Sequence, residues 1–272
     1  MLTSRRLLAA PAAALLALAL AACGGSSPEA APSAEPSASP SPEASPSPEG
    51  LDLTAENFVP TLTEALAAAG SYDVAMTMTS AGETLTASGS VQTQDGTHAI
   101  AMVMDMPELG QVEIRLTGGM AYISLGEITG GKFLQVDPAD TSHPMAEVFS
   151  GMAEEIDPTQ GLTGQAQAIV SVTAVGEPEQ LDGVEVQAYD LVVDPSKAPE
   201  MLAELQSSLP EGVTAPETIT YRYWLDADAL VRKASFTVLD TAAEMTFRNW
   251  GSGTPVTAPT ADQISTEDPF AG

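Results

Sequence analysis

From Ser71 onward, turn signals recur about every ten residues, and this spacing constrains the fold more than any other feature of the chain. Ala81-Gly82, Asp95-Gly96, Glu108-Leu109-Gly110, Gly118-Gly119 and Gly130-Gly131 separate segments rich in Val, Ile, Thr and Met. Glycine tolerates the positive φ of tight hairpins, so these positions predict reversals between consecutive strands. Alternation is strict in Gln111-Val112-Glu113-Ile114-Arg115-Leu116-Thr117, which predicts a strand with one apolar and one polar face. Strands joined by short turns pair antiparallel, and such a sheet packs one face while leaving the other in water.

Helical periodicity interrupts this meander. Thr54 predicts the cap of a helix running to about Ala69, with Phe58, Val59, Leu62 and Leu66 on one face and Gly70 as its stop. A second helix is expected over Met145–Ile156, with Met145, Val148, Phe149, Met152 and Ile156 at helical spacing. A third starts at Asp194-Pro195 and aligns Met201, Leu202, Leu205 and Leu209. Strands return near Ala168–Val175, Val184–Val193, Thr218–Asp226, Leu230–Leu239 and Glu244–Trp250. An antiparallel sheet covered on one face by helices is an α+β architecture.

Two segments of different character precede the folded part. Arg5 and Arg6 are followed by an apolar run from Leu7 to Ala22, too short for a comfortable membrane span and laid out like a secretory signal. The run ends in Leu20-Ala21-Ala22-Cys23, which resembles a bacterial lipobox, where the cysteine thiol receives a diacylglyceryl group. Residues 1–22 are then a signal peptide, and Cys23 is the lipidation site that anchors the chain on the extracytoplasmic face of the cell membrane. Ser4-Arg5-Arg6-Leu7-Leu8 leaves general and twin-arginine export both open. Gly24 to Gly50 is almost wholly Ser, Pro, Ala, Gly and Glu, a composition that cannot bury enough apolar surface to order itself. The expected organisation is a lipidated cysteine and linker over 23–50, one folded domain over 51–264, and a tail over 265–272.

Charge excludes several classes of partner. Nine Lys and Arg stand against 37 Asp and Glu, a formal charge of −28. Removing residues 1–22 deletes two arginines and no acid, leaving about −30. Nucleic-acid binding and docking through a polybasic patch both need clustered cations, so neither is expected. One Cys and two His rule out a disulfide framework and leave little for metal or acid–base chemistry. The chain has no Gly-x-Ser-x-Gly, P-loop, Gly-x-Gly-x-x-Gly or His-Glu-x-x-His motif. Asp194-Pro195-Ser196-Lys197 reads as a helix cap, and Asp226-Ala227-Asp228 as a hairpin turn, because the Gly and distal Glu of a calcium loop are missing. His143, ahead of Pro144, has no neighbouring ligand in sequence. No enzyme activity, cofactor or metal is expected.

The methionines form the one unusual constellation. Met76 and Met78 share a strand face with Tyr72 and Val74, and Met102, Met104 and Met106 share another with His98 and Ile100. Three readings stay open at this point: plain core packing, the lining of an apolar cavity by adaptable thioethers, or a soft-metal site for Cu(I) that includes His98.

The succession of lipobox, low-complexity linker, amphipathic helix, Met- and Thr-rich meander and late hairpin Tyr221-Arg222-Tyr223-Trp224-Leu225-Asp226-Ala227-Asp228-Ala229-Leu230-Val231-Arg232-Lys233 resembles the actinobacterial LppX/LprAFG lipoprotein family. The closing stretch Phe247-Arg248-Asn249-Trp250-Gly251, followed by Pro255-Val256 and Ala258-Pro259-Thr260-Ala261-Asp262-Gln263-Ile264, is similar to how such chains end. The resemblance spans about residues 51–264. It implies the fold of the periplasmic lipoprotein carriers: a strongly curved antiparallel β half-barrel with helices packed on its concave face around an apolar cavity. It further implies that the chain binds an acylated lipid or glycolipid and carries or presents it across the cell envelope, with any envelope transporter partner unidentified. The candidate cavity lining is Val74, Met76 and Met78, then Met102, Met104 and Met106, then Val112, Ile114 and Leu116. The alternatives are a sensory or binding lipoprotein of the same fold, and a Cu(I)-binding lipoprotein using the Met-rich strand.

Overall fold

The computed structural model describes residues 50–94, 97–106, 110–146, 148–150, 166–209, 213–267 and 270. The signal segment, Cys23, residues 24–49 of the linker, and residues 147 and 151–156 of the expected second helix lie outside them.

The described residues form eleven strands in one sheet: β1 Ser71–Ser80, β2 Glu83–Gln94, β3 Thr97–Met106, β4 Gly110–Thr117, β5 Met120–Ser124, β6 Leu134–Val136, β7 Ile169–Leu181, β8 Val184–Val193, β9 Ile219–Leu225, β10 Val231–Val238 and β11 Thr241–Arg248. The order is β6-β5-β4-β3-β2-β1-β11-β10-β9-β8-β7, with every pairing antiparallel. Two meanders thus run outward from a central seam where the first strand meets the last, in register from Asp73 opposite Arg248 to Ser80 opposite Thr241. The sheet is open, with β6 and β7 as its edges.

Local chemistry accounts for the reversals. Ala81 and Gly82 both take positive φ, 51° and 85°, as the two-residue turn between right-twisted strands requires. Asp226 organises the β9–β10 reversal: its Oδ1 accepts the amides of Asp228 and Leu230, and its Oδ2 accepts from Arg232. The expected hairpin is therefore what this acidic pair builds. Pro178 sits in β7 beside a register shift between Val175 and Glu179, a position tolerated because β7 is an edge.

Two α-helices with both ends described accompany the sheet, α1 Phe58–Ala69 and α2 Pro199–Ser208, and residues 146 and 148–150 are helical as well. Thr54 and Asn57 exchange hydrogen bonds across a preceding turn, so the cap residue opens that turn and α1 proper starts at Phe58. Gly70, at φ 68°, closes the helix by donating to the Leu66 carbonyl. The third expected helix is corrected by the structure. Asp194 caps only a short 3-10 turn over Pro195–Lys197, and α2 begins afresh at Pro199. The cause is Pro199 itself, which holds Ala198 extended (φ −125°, ψ 92°). Of the second helix, Phe149 is buried as expected, whereas Val148 is 56% exposed and does not share its face.

One face of the sheet is the core face. Phe58, Val59 and Leu62 of α1 are buried against it, with the Phe58 ring edge-on to Tyr223 at 5.3 Å. Across the other face runs the C-terminal segment. Asp73 accepts from Ser90, Asn249 and both the amide and hydroxyl of Thr254. Farther along, Gln92 receives the Val256 amide and Arg115 donates to the Thr257 carbonyl. The segment ends by bracketing Phe133 at the β6 edge.

Candidate ligand-binding face

Cross-strand register assembles the site. Side chains directly opposite one another share a face, so one row across the core face reads Ala234, Met245, Met76, Ala87, Met104 and Val112. The next reads Phe247, Val74, Gly89, Met102 and Ile114, and a third joins Val91, Ile100 and Leu116. Met78 stands on the same face opposite Ala243 and Leu85, and Met106 lies opposite Gly110 at the end of β3. The nine residues Val74, Met76, Met78, Met102, Met104, Met106, Val112, Ile114 and Leu116 therefore lie on a single face.

Burial on this face is graded. Val74, Met76, Val112, Ile114 and Leu116 are buried, Met78, Met102 and Met104 are half-buried, and Met106 is 36% exposed. The thioethers thus become more accessible toward the β1–β2 hairpin. Between Met76 and the Met102 and Met104 pair, β2 offers the small residues Ala87 and Gly89, and a Cβ at position 89 would stand 3.0 Å from Met102 Cγ. Val74, Met76, Ala87, Ser88, Met102 and Met245 enclose a hole of about 10 Å³. That is room for at most one water and for no acyl chain.

The opposite wing of the core face is aromatic. Tyr221 and Tyr223 of β9 face Leu191 and Tyr189 of β8, with Phe236 at 5.5 Å from the Tyr221 ring. Tyr189 donates its hydroxyl to the Leu51 carbonyl at 3.0 Å. Burial pushes the Tyr223 phenol up to about 12 and raises Tyr221 as well, so both remain protonated donors. The tyrosines, Met245, Ala234 and Ala243 were absent from the sequence-based lining. Their period-two spacing was visible, but only the pairing of β1 with β11 brings that half of the chain beside the methionines.

The polar candidates divide differently. His98 shares the methionine face but its Nδ1 is paired with the Thr93 hydroxyl at 2.9 Å. His143 accepts the Met145 amide at 3.1 Å. Among the described residues, no group of three or more His, Cys, Asp and Glu is arranged to hold a metal ion. A groove of about 420 Å³ on the outer face is bordered by Thr220, Arg222, Asp190, Ser235 and Leu239. Its arginine is already committed to Asp190 through two bonds of 2.6 and 2.8 Å.

An open, all-antiparallel sheet with one apolar face under a helix defines a class by its architecture, the single-sheet α+β fold. Within it, the chain is similar to the crystal structure of lipoprotein LppX from Mycobacterium tuberculosis, at 15% identity and a TM-score of 0.50, over 75% of this chain and 98% of that one. LprF from Mycobacterium bovis aligns at 16% identity and a TM-score of 0.47 over 76% of this chain and 97% of its own. The Pseudomonas aeruginosa MucA/MucB complex aligns at 15% identity and a TM-score of 0.36, covering 77% of this chain and 59% of that one. The likeness to LppX is one of fold. No protein-family profile and no curated protein matches the sequence.

Proposed function

We propose that this protein is a membrane-anchored envelope lipoprotein that binds an acylated lipid or glycolipid on the core face of its sheet and carries or presents it. In this reading residues 1–22 are removed, Cys23 is lipidated, residues 24–50 tether the domain over 51–264, and the sheet curls into a half-barrel whose concave side is the core face. The reading involves no catalysis: the chain exchanges its ligand without covalent chemistry.

The observation that carries it is the composition of that face. Flexible thioethers alternate with Ala and Gly, so the row can part and re-close around chains of different shape. Each buried CH₂ is worth ~0.8 kcal/mol, so a sixteen-carbon chain resists water by roughly 13 kcal/mol and needs a dry site to leave a bilayer. In this reading the hole of about 10 Å³ widens to admit a chain by displacement of Met76, Met102 and Met245. No helix among the described residues is long and apolar enough to cross a membrane, and in this reading the lipid at Cys23 supplies the attachment.

The small hole also favours a second reading: a sensory or binding module of the same fold whose core face is permanently filled by its own side chains. Native mass spectrometry of the full chain, purified in detergent from a lipid-containing host, separates the two. A bound-lipid mass on most molecules supports the carrier. A protein that emerges lipid-free and stays so after incubation with lipid vesicles contradicts it.

A further inference from the structure

Buried phenols normally find a hydrogen-bond partner. Tyr189 does so at Leu51. Its neighbours on the core face do not. Tyr221 and Tyr223 are 3% and 7% exposed, and no hydrogen bond joins either hydroxyl to another of the described residues. Two residues apart on one strand, the side chains project to the same side, about 7 Å apart. Phe58 of α1 lies edge-on to Tyr223, and the same helix carries Thr63, whose Oγ1 is fully buried with no hydrogen-bond partner among the described residues. Two unpaired donors, roofed by a helix and adjoining the thioether row, are a half-made polar site at the end of an apolar track.

We propose that Tyr221 and Tyr223 donate hydrogen bonds to an uncharged carbonyl acceptor, the ester group of a lipid whose chain runs across the sheet over Ala234, Met245, Met76 and Met104. This rests on the lipid-binding reading above. The register carries the track from small Ala234 on β10 to Met245 on β11 and Met76 on β1, and Ala87 continues it to Met104 on β3, while the ring contact of Tyr221 with Phe236 at 5.5 Å joins the tyrosines to β10. The acceptor is uncharged because both donors are neutral and the neighbouring cations are occupied. Arg232 is bound to Asp226, and Lys233 is bound to Glu244. A buried phosphate or carboxylate would therefore lack a counter-charge, at a cost of several kcal/mol.

The test compares the full chain, purified in detergent, with its Tyr221→Phe/Tyr223→Phe variant, which removes two oxygens and leaves both rings. Each is incubated with deuterated methyl palmitate, hexadecane or palmitate anion, and bound probe is counted by native mass spectrometry, with thermal unfolding as the check on folding. Wild type should prefer the ester to the anion. The double-Phe protein should hold hexadecane as wild type does while its ester-to-hydrocarbon ratio falls about tenfold, the worth of one to two hydrogen bonds. An unchanged ratio in the folded variant, or preference of wild type for the anion, overturns the proposal and leaves the lipid-binding reading standing. Retention of none of the probes by wild type overturns both.

Discussion

Position 89 shows how one missing side chain decides a face. A Cβ there would meet the Ala101 carbonyl oxygen at 2.3 Å and Met102 Cγ at 3.0 Å. The thioether could swing away, but the carbonyl belongs to the β3 backbone and yields only if the strands separate. Gly89→Ala is therefore expected to destabilise the fold by about 2–3 kcal/mol in urea unfolding, an overpacking cost. A change under about 0.5 kcal/mol would contradict this packing. Met104 makes the complementary case, since the Met102, Met104 and Met106 side chains tolerate exchange for Leu at under ~1.5 kcal/mol each. The triple-Leu protein should fold and keep bound lipid, whereas loss of lipid with the fold intact would point to the sulfurs themselves and revive the Cu(I) reading. Met104→Asp places an unpaired carboxylate on a dry face and should abolish lipid retention. The methionine face was legible because β3 alternates cleanly. Gly89 was not, since its role depends on a strand that only register places opposite it.

At the scale of elements, the C-terminal segment is the part whose attachment rests most on hydrogen bonds. Burial alone would raise the Asp73 carboxyl. Bonds from Asn249, the Thr254 amide, Ser90 and the Thr254 hydroxyl outweigh it and hold the group below its ordinary value. A carboxyl depressed in the folded state stabilises fully above its unfolded pKa of about 4 and loses that contribution as pH falls through the lower folded value. Hydrogen exchange over residues 250–264 should accordingly show constant protection from pH 8 to 5 and a loss below about pH 4. Asp73→Asn should remove the acid-dependent step and, at neutral pH, lower protection by about 1 kcal/mol, because the site is partly exposed. Protection in that variant matching wild type at both pH values would mean that other contacts hold the segment. The hairpins of the two meanders were readable, since Ala81-Gly82 and Gly118-Gly119 need nothing beyond local chemistry. The split of the third helix was readable in principle at Pro199, whose effect on Ala198 is equally local. The docking of the C-terminal segment was not, because Asp73 and Thr254 are far apart in sequence.

For the whole molecule, the central seam decides where everything else lies. Pairing β1 with β11 folds the two ends of the domain together, and no periodicity encodes that pairing. It also places the Leu51 carbonyl on the Tyr189 hydroxyl beside the tyrosine wing. Charge then governs how the domain meets a membrane. Five described cations are committed to carboxylates: Arg115 to Glu113, Arg222 to Asp190, Arg232 to Asp226, Lys233 to Glu244 and Arg248 to Asp182. The remaining acids give the surface a strong negative field, which anionic headgroups repel within a Debye length of about 8 Å. A domain of this charge cannot hold itself to the bilayer electrostatically. On the proposed reading, its residence there depends on acyl chains at Cys23 and on a linker that spans at most roughly 80 Å. If the proposed lipidation is right, Cys23→Ser removes the thiol that would accept the diacylglyceryl group and should block the cleavage that follows. Wild type should incorporate labelled palmitate and partition into the detergent phase. The Ser variant should incorporate none and persist as the longer precursor, and a domain released by proteolysis within the tether should stay in the aqueous phase and ignore anionic vesicles at physiological salt. A Ser variant that is trimmed to the wild-type mass and still partitions into detergent would show that Cys23 is not the anchor.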